Sequence, residues 1–69
     1  MKEVEFKDRL IELRQDKDLS QEKLGKLTGI HPMNISKWER GINYPNIDSI
    51  KTLAKFFGCT AGYLIGTEN

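Results

Sequence analysis

Between Gln21 and Arg40 the chain reads QEKLGKLTGIHPMNISKWER, and its last nine residues hold side chains suited to a groove lined with phosphates and base edges. Lys37 and Arg40 carry donors for phosphate oxygens or guanine, Ser36 adds a hydroxyl, and Met33 offers an apolar surface that matches a thymine methyl. On a helix opened by Pro32 and turning about 100° per residue, Met33, Lys37 and Arg40 share one face. Ser36 lies at its margin, and Pro32 and Asn34 flank it. Ile35, Trp38 and Glu39 fall on the other side, which two large apolar side chains turn inward. Trp38 is accordingly expected in the core rather than stacked on a base. His31, beside Pro32, is expected to cap this helix, within reach of a phosphate.

Rival chemistries find little support. No paired carboxylates, no nucleophile beside a base, no Gly-rich phosphate loop and no metal-ligand set meets the requirements of a catalytic site, so no enzyme, cofactor or small-molecule ligand is expected. Cys59 is the only cysteine and His31 the only histidine, which excludes an intramolecular disulfide framework and a Cys/His zinc site. Cys59 is expected to be an inert, buried thiol. The longest uncharged stretch starts at Phe56 and is broken by Gly58, Thr60 and Gly62; it is too short for a bilayer span and lacks signal-peptide flanks. A cytoplasmic protein without a membrane partner is expected.

The 69 residues, 30% charged and 38% hydrophobic with a net charge of +1, suit one small domain spanning residues 1–69. Charge is unevenly spread. Residues 1–18 carry five basic and six acidic side chains, residues 45–69 carry two of each, and residues 19–44 set Lys23, Lys26, Lys37 and Arg40 against Glu22 and Glu39. The middle segment alone is basic, a weak pointer to a polyanion.

The elements that must position these residues are all helical. Phe6, Leu10 and Leu13 form one face of a first helix, about Glu3 to Lys17, with Arg9, Glu12 and Asp16 elsewhere. Asp18 follows its end, where a left-handed backbone is usual. Ser20 caps a second helix, Gln21 to Thr28, although Lys23 stands where a full capping box would place Glu or Gln. Gly29 ends it, and Pro32 opens the third in its first turn. Gly25 costs about 1 kcal/mol in mid-helix, which a close helix crossing would explain. Gly41 ends the third helix. Asn46 caps a fourth with Ile47, Ile50, Leu53, Ala54 and Phe57 as its buried stripe, and Gly58 stops it. Thr60 caps a short fifth helix reaching Leu64 and Ile65.

Two short helices joined by a tight turn, with Leu24, Ile30, Ile35 and Trp38 fixing their angle, form a helix-turn-helix unit at about residues 20–41. The sequence resembles the Cro and phage-repressor (XRE-type) helix-turn-helix family from about Phe6 to Gly66. The matching residues are Leu-Ser-Gln at 19–21, Trp-Glu-Arg-Gly at 38–41, Pro45 to Phe57 with Leu53-Ala54-Lys55, and Tyr63-Leu-Ile-Gly at the end. The resemblance implies an all-α, five-helix, lambda-repressor-like fold whose third helix enters the major groove of duplex DNA, and a homodimer on a two-fold operator.

Carried over by position, the resemblance makes Pro32, Met33 and Lys37 base readers, and Ser36 joins them from its place at the margin of the outward face. Ser20, Gln21, His31, Arg40 and Asn43 then face the DNA backbone or the neighbouring groove. Arg14 and Glu39 match a salt bridge joining the first helix to the third; two independent solvated charges are the alternative. Pro32 departs from the pattern by replacing a polar reader, and Ile42 to Asn46 lacks the basic residues that some relatives place on phosphate. The last helix, about 60–66, carries more apolar surface than it can bury, so Tyr63 and Ile65 are expected at a two-fold contact. The leading expectation is a sequence-specific DNA-binding repressor. The alternative is an antitoxin or phage factor whose helix-turn-helix chiefly binds protein, which an apolar or acidic third-helix face would favour.

Overall fold

The computed structural model describes residues 5–68. Its five helices are α1 (Phe6–Asp16), α2 (Gln21–Thr28), α3 (Pro32–Glu39), α4 (Ile47–Phe57) and α5 (Ala61–Ile65), with no strand among the described residues. The last four begin where their capping residues predict. The Ser20 hydroxyl accepts from the Lys23 N–H at 3.0 Å, the Asn46 side-chain Oδ1 from the Ser49 N–H at 2.9 Å, and the Thr60 hydroxyl from the Tyr63 N–H at 3.0 Å. His31 caps α3 through Nδ1, which accepts from the Met33 N–H at 3.0 Å. Asp18 takes the left-handed backbone expected after α1, with φ of 55°. The first helix is shorter than its apolar pattern suggested: Glu5 is its N-cap and Lys17 its C-cap, and Glu3 lies outside the described residues.

Every helix contributes one side chain that is wholly withdrawn from solvent: Leu10, Leu24, Ile35, Leu53 and Leu64 meet in the centre. Phe6, Trp38, Ile50 and Ala54 complete the buried cluster, and Trp38 packs edge-on to Phe6 with ring centroids 6.3 Å apart. Short helices of this kind are held by tertiary packing rather than propensity. α1 touches both α3 and α5, α2 touches α3 and α4, and α4 touches α5, so α1 bridges the two ends of the molecule.

Four expectations need correction. Phe57, assigned to the buried stripe of α4, is half-buried and packs against the core from its edge. Ile47, assigned to the buried stripe of α4, is 62% exposed. It occupies the first position of the helix, less than one turn before Ile50, and no neighbouring element covers it. Arg9, placed away from the apolar face of α1, is only 7% exposed, because α5 packs over it. Cys59 is half-buried rather than buried. Burial pushes its thiol up from the ordinary range, and the positive charge of Arg9 pulls the other way.

Candidate nucleic-acid interface

The α2–turn–α3 unit is set by a close approach at one point. A Cβ on Gly25 would lie 2.5 Å from the Ile30 carbonyl oxygen and 3.1 Å from the Pro32 ring, so a glycine is what lets the start of α3 rest on α2. Gly29 turns the chain between them with φ of 76°, a conformation that L side chains rarely adopt. Ile35 and Trp38 anchor α3 to the core.

Anchoring those residues turns the opposite face outward. Met33 is 58% exposed, Asn34 and Arg40 are exposed, and Ser36 and Lys37 are half-buried, as is Pro32 against Gly25. Arg40 Nε donates back to the Ser36 carbonyl at 3.4 Å, a long bond that leaves most of the guanidinium open. Ser20 and His31 stand exposed at the two helix starts. With Nδ1 engaged as an acceptor, the imidazole proton of His31 sits on Nε2, a free donor. Asn43 is set apart from this face: it lines a groove of about 250 Å³ with Glu5, Lys7, Trp38, Ile42 and Tyr44.

A buried polar network fixes the far end of α3. Arg14 Nε and Nη2 donate to the two Glu39 carboxylate oxygens at 2.7 and 2.9 Å, and Arg14 Nη1 donates to the Leu19 carbonyl at 2.7 Å. The Arg14 and Glu39 side chains are 14% and 5% exposed, so they are not two solvated charges. Hydrogen bonding to the Glu39 carboxylate holds the Arg14 proton more tightly than usual, outweighing the opposing effect of burial. Gln21 joins in: one N–H of its amide donates to Glu39 at 3.0 Å. Nothing in the sequence pointed to this third member except that Gln21 opens α2.

Tyr63 and Ile65 are both half-buried within the protomer, and the Arg9 guanidinium covers one face of the Tyr63 ring at 3.8 Å. The large apolar side chains left exposed lie elsewhere, at Leu27, Met33, Ile42, Tyr44 and Ile47. Among the described residues, no group of three or more His, Cys, Asp or Glu side chains is arranged to hold a metal ion, and no helix is long and apolar enough to cross a membrane.

This geometry has close counterparts. The chain is 42% identical over 65 residues to the HTH-type transcriptional activator BcrR of Enterococcus faecalis, covering 94% of this chain and 32% of that protein. It thus spans about a third of the activator's length. Its fold superposes with a TM-score of 0.86 on the P22 c2 repressor protein solved in complex with synthetic operator 9T, at 29% identity over 94% of this chain and 98% of that one. The restriction-modification controller protein C.AhdI from Aeromonas hydrophila superposes with a TM-score of 0.78 at 36% identity, covering 86% and 89% of the two chains. A family described as helix-turn-helix matches residues 10–64, and the chain belongs to that family, in its XRE or Cro and phage-repressor type.

Proposed function

We propose that this chain binds duplex DNA sequence-specifically and regulates transcription, acting as a repressor by occupying a two-fold operator as a homodimer in the cytoplasm, with no catalytic role. The observation that carries the proposal is the outward face of α3, where Met33, Ser36, Lys37 and Arg40 stand on a helix immobilised by the core at Ile35 and Trp38 and by Arg14 at Glu39. Such a face is neither acidic nor broadly apolar, which disfavours a module that chiefly binds protein. That the similar P22 c2 repressor was solved in complex with a synthetic operator supports duplex DNA as the partner. In this reading Pro32, Met33, Ser36 and Lys37 approach base edges, and Ser20, Gln21, His31, Arg40 and Asn43 meet the backbone.

Selection of bound sites from a random duplex pool tests the proposal. A two-fold consensus with half-sites about 34–36 Å apart is expected. Lys37→Ala should relax preference at one base pair per half-site at about 1–3 kcal/mol, whereas Gln21→Ala should weaken all sequences alike. Recovery of no consensus would overturn sequence-specific binding. Two-fold contact is proposed through Tyr63 and Ile65, and the exposure of Ile42, Tyr44 and Ile47 favours a second surface. Equilibrium sedimentation of the variant pairs Tyr63→Ala/Ile65→Ala and Tyr44→Ala/Ile47→Ala assigns it.

A further inference from the structure

Beyond α5 the chain doubles back over the helix it has just formed. Gly66, with φ of 89°, reverses the direction, and the Gly62 carbonyl then accepts from the Thr67 N–H at 2.8 Å and from the Glu68 N–H and the Thr67 hydroxyl at 3.2 Å each. This brings Glu68 alongside the first turn of α5, where its carboxylate accepts from the Thr60 hydroxyl at 2.8 Å. The same hydroxyl caps α5 by accepting from the Tyr63 N–H. One side chain thus ties the start of the helix to the segment beyond its end. Gly62 leaves the room for that segment: a Cβ there would lie 2.7 Å from the Glu68 carboxyl carbon and would collide with Oε2.

We propose that residues 66–68 are a strap and the Thr60–Glu68 hydrogen bond its latch. Releasing the latch opens α5 as a unit while α2 and α3 stay folded, and opening withdraws Tyr63 and Ile65 from the two-fold contact. That last step rests on the pairing surface proposed above. Five residues make little more than one turn, too few for a helix to hold by itself. α5 is fixed by Leu64 in the core, by packing on α1 and α4, and by the strap. The latch is the accessible member of these. Thr60 and Glu68 are both exposed, so water can replace either partner and release leaves no buried charge behind, the condition for an opening of low free energy. The α2–α3 unit has fixings of its own in Leu24, Ile35, Trp38 and the Arg14–Glu39 pair, none of which lies on α5.

Amide hydrogen exchange of the parent and of Glu68→Ala, at fixed pH, is the test. The Leu64 and Ile65 amides should exchange about three- to tenfold faster in the variant, the range for losing one hydrogen bond, with the Trp38 amide of α3 unchanged. Exchange in α5 that stays as it was overturns the latch, and an equal rise at Trp38 overturns opening as a unit. Gly62→Ala supplies a second check, because its methyl displaces the Glu68 carboxylate. In that background Glu68→Ala should have no further effect; a second effect of full size would show that Glu68 does not act through Thr60. Repeating the parent measurement from dilute to concentrated protein, with pairing followed by sedimentation, separates the two readings. Pairing through Tyr63 and Ile65 needs α5 closed, so exchange in α5 should slow as the protein pairs. If it does not, while Glu68→Ala still quickens exchange, the latch stands and the pairing surface falls.

Discussion

Helix α1 carries two arginines into the protein, and the two ends of the helix treat them differently. Arg14, facing α3, is saturated: both Glu39 oxygens and the Leu19 carbonyl accept from it within 2.9 Å. Arg9, facing α5, is at least as deeply buried, yet among the described residues it meets only Glu12 at 3.8 Å and the Tyr63 ring beneath its guanidinium, and its Nε has no hydrogen-bond partner. A buried charge with full hydrogen bonding specifies geometry; one stacked on a ring contributes mainly packing by its aliphatic stem and a cation–π contact. The better-satisfied arginine is the one that fixes the proposed DNA-contacting helix. Rigidity is thus concentrated where α3 must be held in register, and the α1–α5 contact can tolerate change.

The largest expected effect breaks the first half of that contrast. Glu39→Gln leaves Arg14 charged with no carboxylate, and Arg14→Met leaves Glu39, 5% exposed, with Gln21 alone. Each should cost about 3–5 kcal/mol in denaturant unfolding, the range for removing one member of a buried pair. A loss of a few tenths in either variant would show that the network is no more committed than an exposed ion pair.

Next in size is Gly25→Ala, which asks whether packing holds the same end as tightly as charge does. Alanine gains about 1 kcal/mol of helix propensity. Its methyl, however, would meet backbone at Ile30 and the Pro32 ring, so it must push α3 away from α2. Overpacking of this kind costs about 1–3 kcal/mol, and a net loss is expected. Increased stability would mean that the turn yields easily and that Arg14 alone sets the angle.

What the sequence made legible follows the same division. Caps, turn glycines and the period of about 3.6 residues are local signals, and they located α2, α3, α4 and α5, the inward place of Trp38, and the approach at Gly25. The Arg14–Glu39 pair came from the family resemblance, helped by the place of Glu39 at the edge of the inward face. Arg9 was illegible because its burial depends on α5 crossing α1, a contact 54 residues away in sequence at Tyr63 that no local pattern encodes. Exposed Ile47 misled for the complementary reason: helical spacing assigns a face but cannot show where the neighbouring helix ends. Gln21 was expected to serve DNA alone, and only the folded geometry brings its amide to Glu39.

A smaller effect sharpens the second half of the contrast. Arg9→Met keeps the unbranched stem, removes a charge that lacks good partners, and should change stability by less than about 1 kcal/mol, since apolar replacement of poorly paired buried charge is often neutral or favourable. Tyr63→Leu, measured singly and with Arg9→Met, gives the coupling between the pair. About 0.5–2 kcal/mol is expected for a guanidinium over a tyrosine ring. A cost above about 3 kcal/mol for Arg9→Met, the range of a committed buried pair, would show that both arginines are equally committed and that the two ends of α1 do not differ.

The smallest expected effect reads the charge of Arg9 directly, through Cys59. Burial raises the thiol and the nearby guanidinium lowers it, with burial the larger influence. In the parent protein the alkylation rate of Cys59 should therefore rise with pH later than that of the unfolded chain. The same shift makes a small contribution to stability. Because the folded thiol holds its proton more tightly, that contribution is fully present below the unfolded pKa and is lost as pH rises through the folded one. Removing the charge in Arg9→Met takes away the influence that favours the thiolate, so the alkylation profile should move to still higher pH. A profile that stays in place would mean that solvent and Glu12 already screen Arg9. Its burial would then be of the aliphatic stem alone, with the guanidinium acting on Tyr63 and on nothing beyond it.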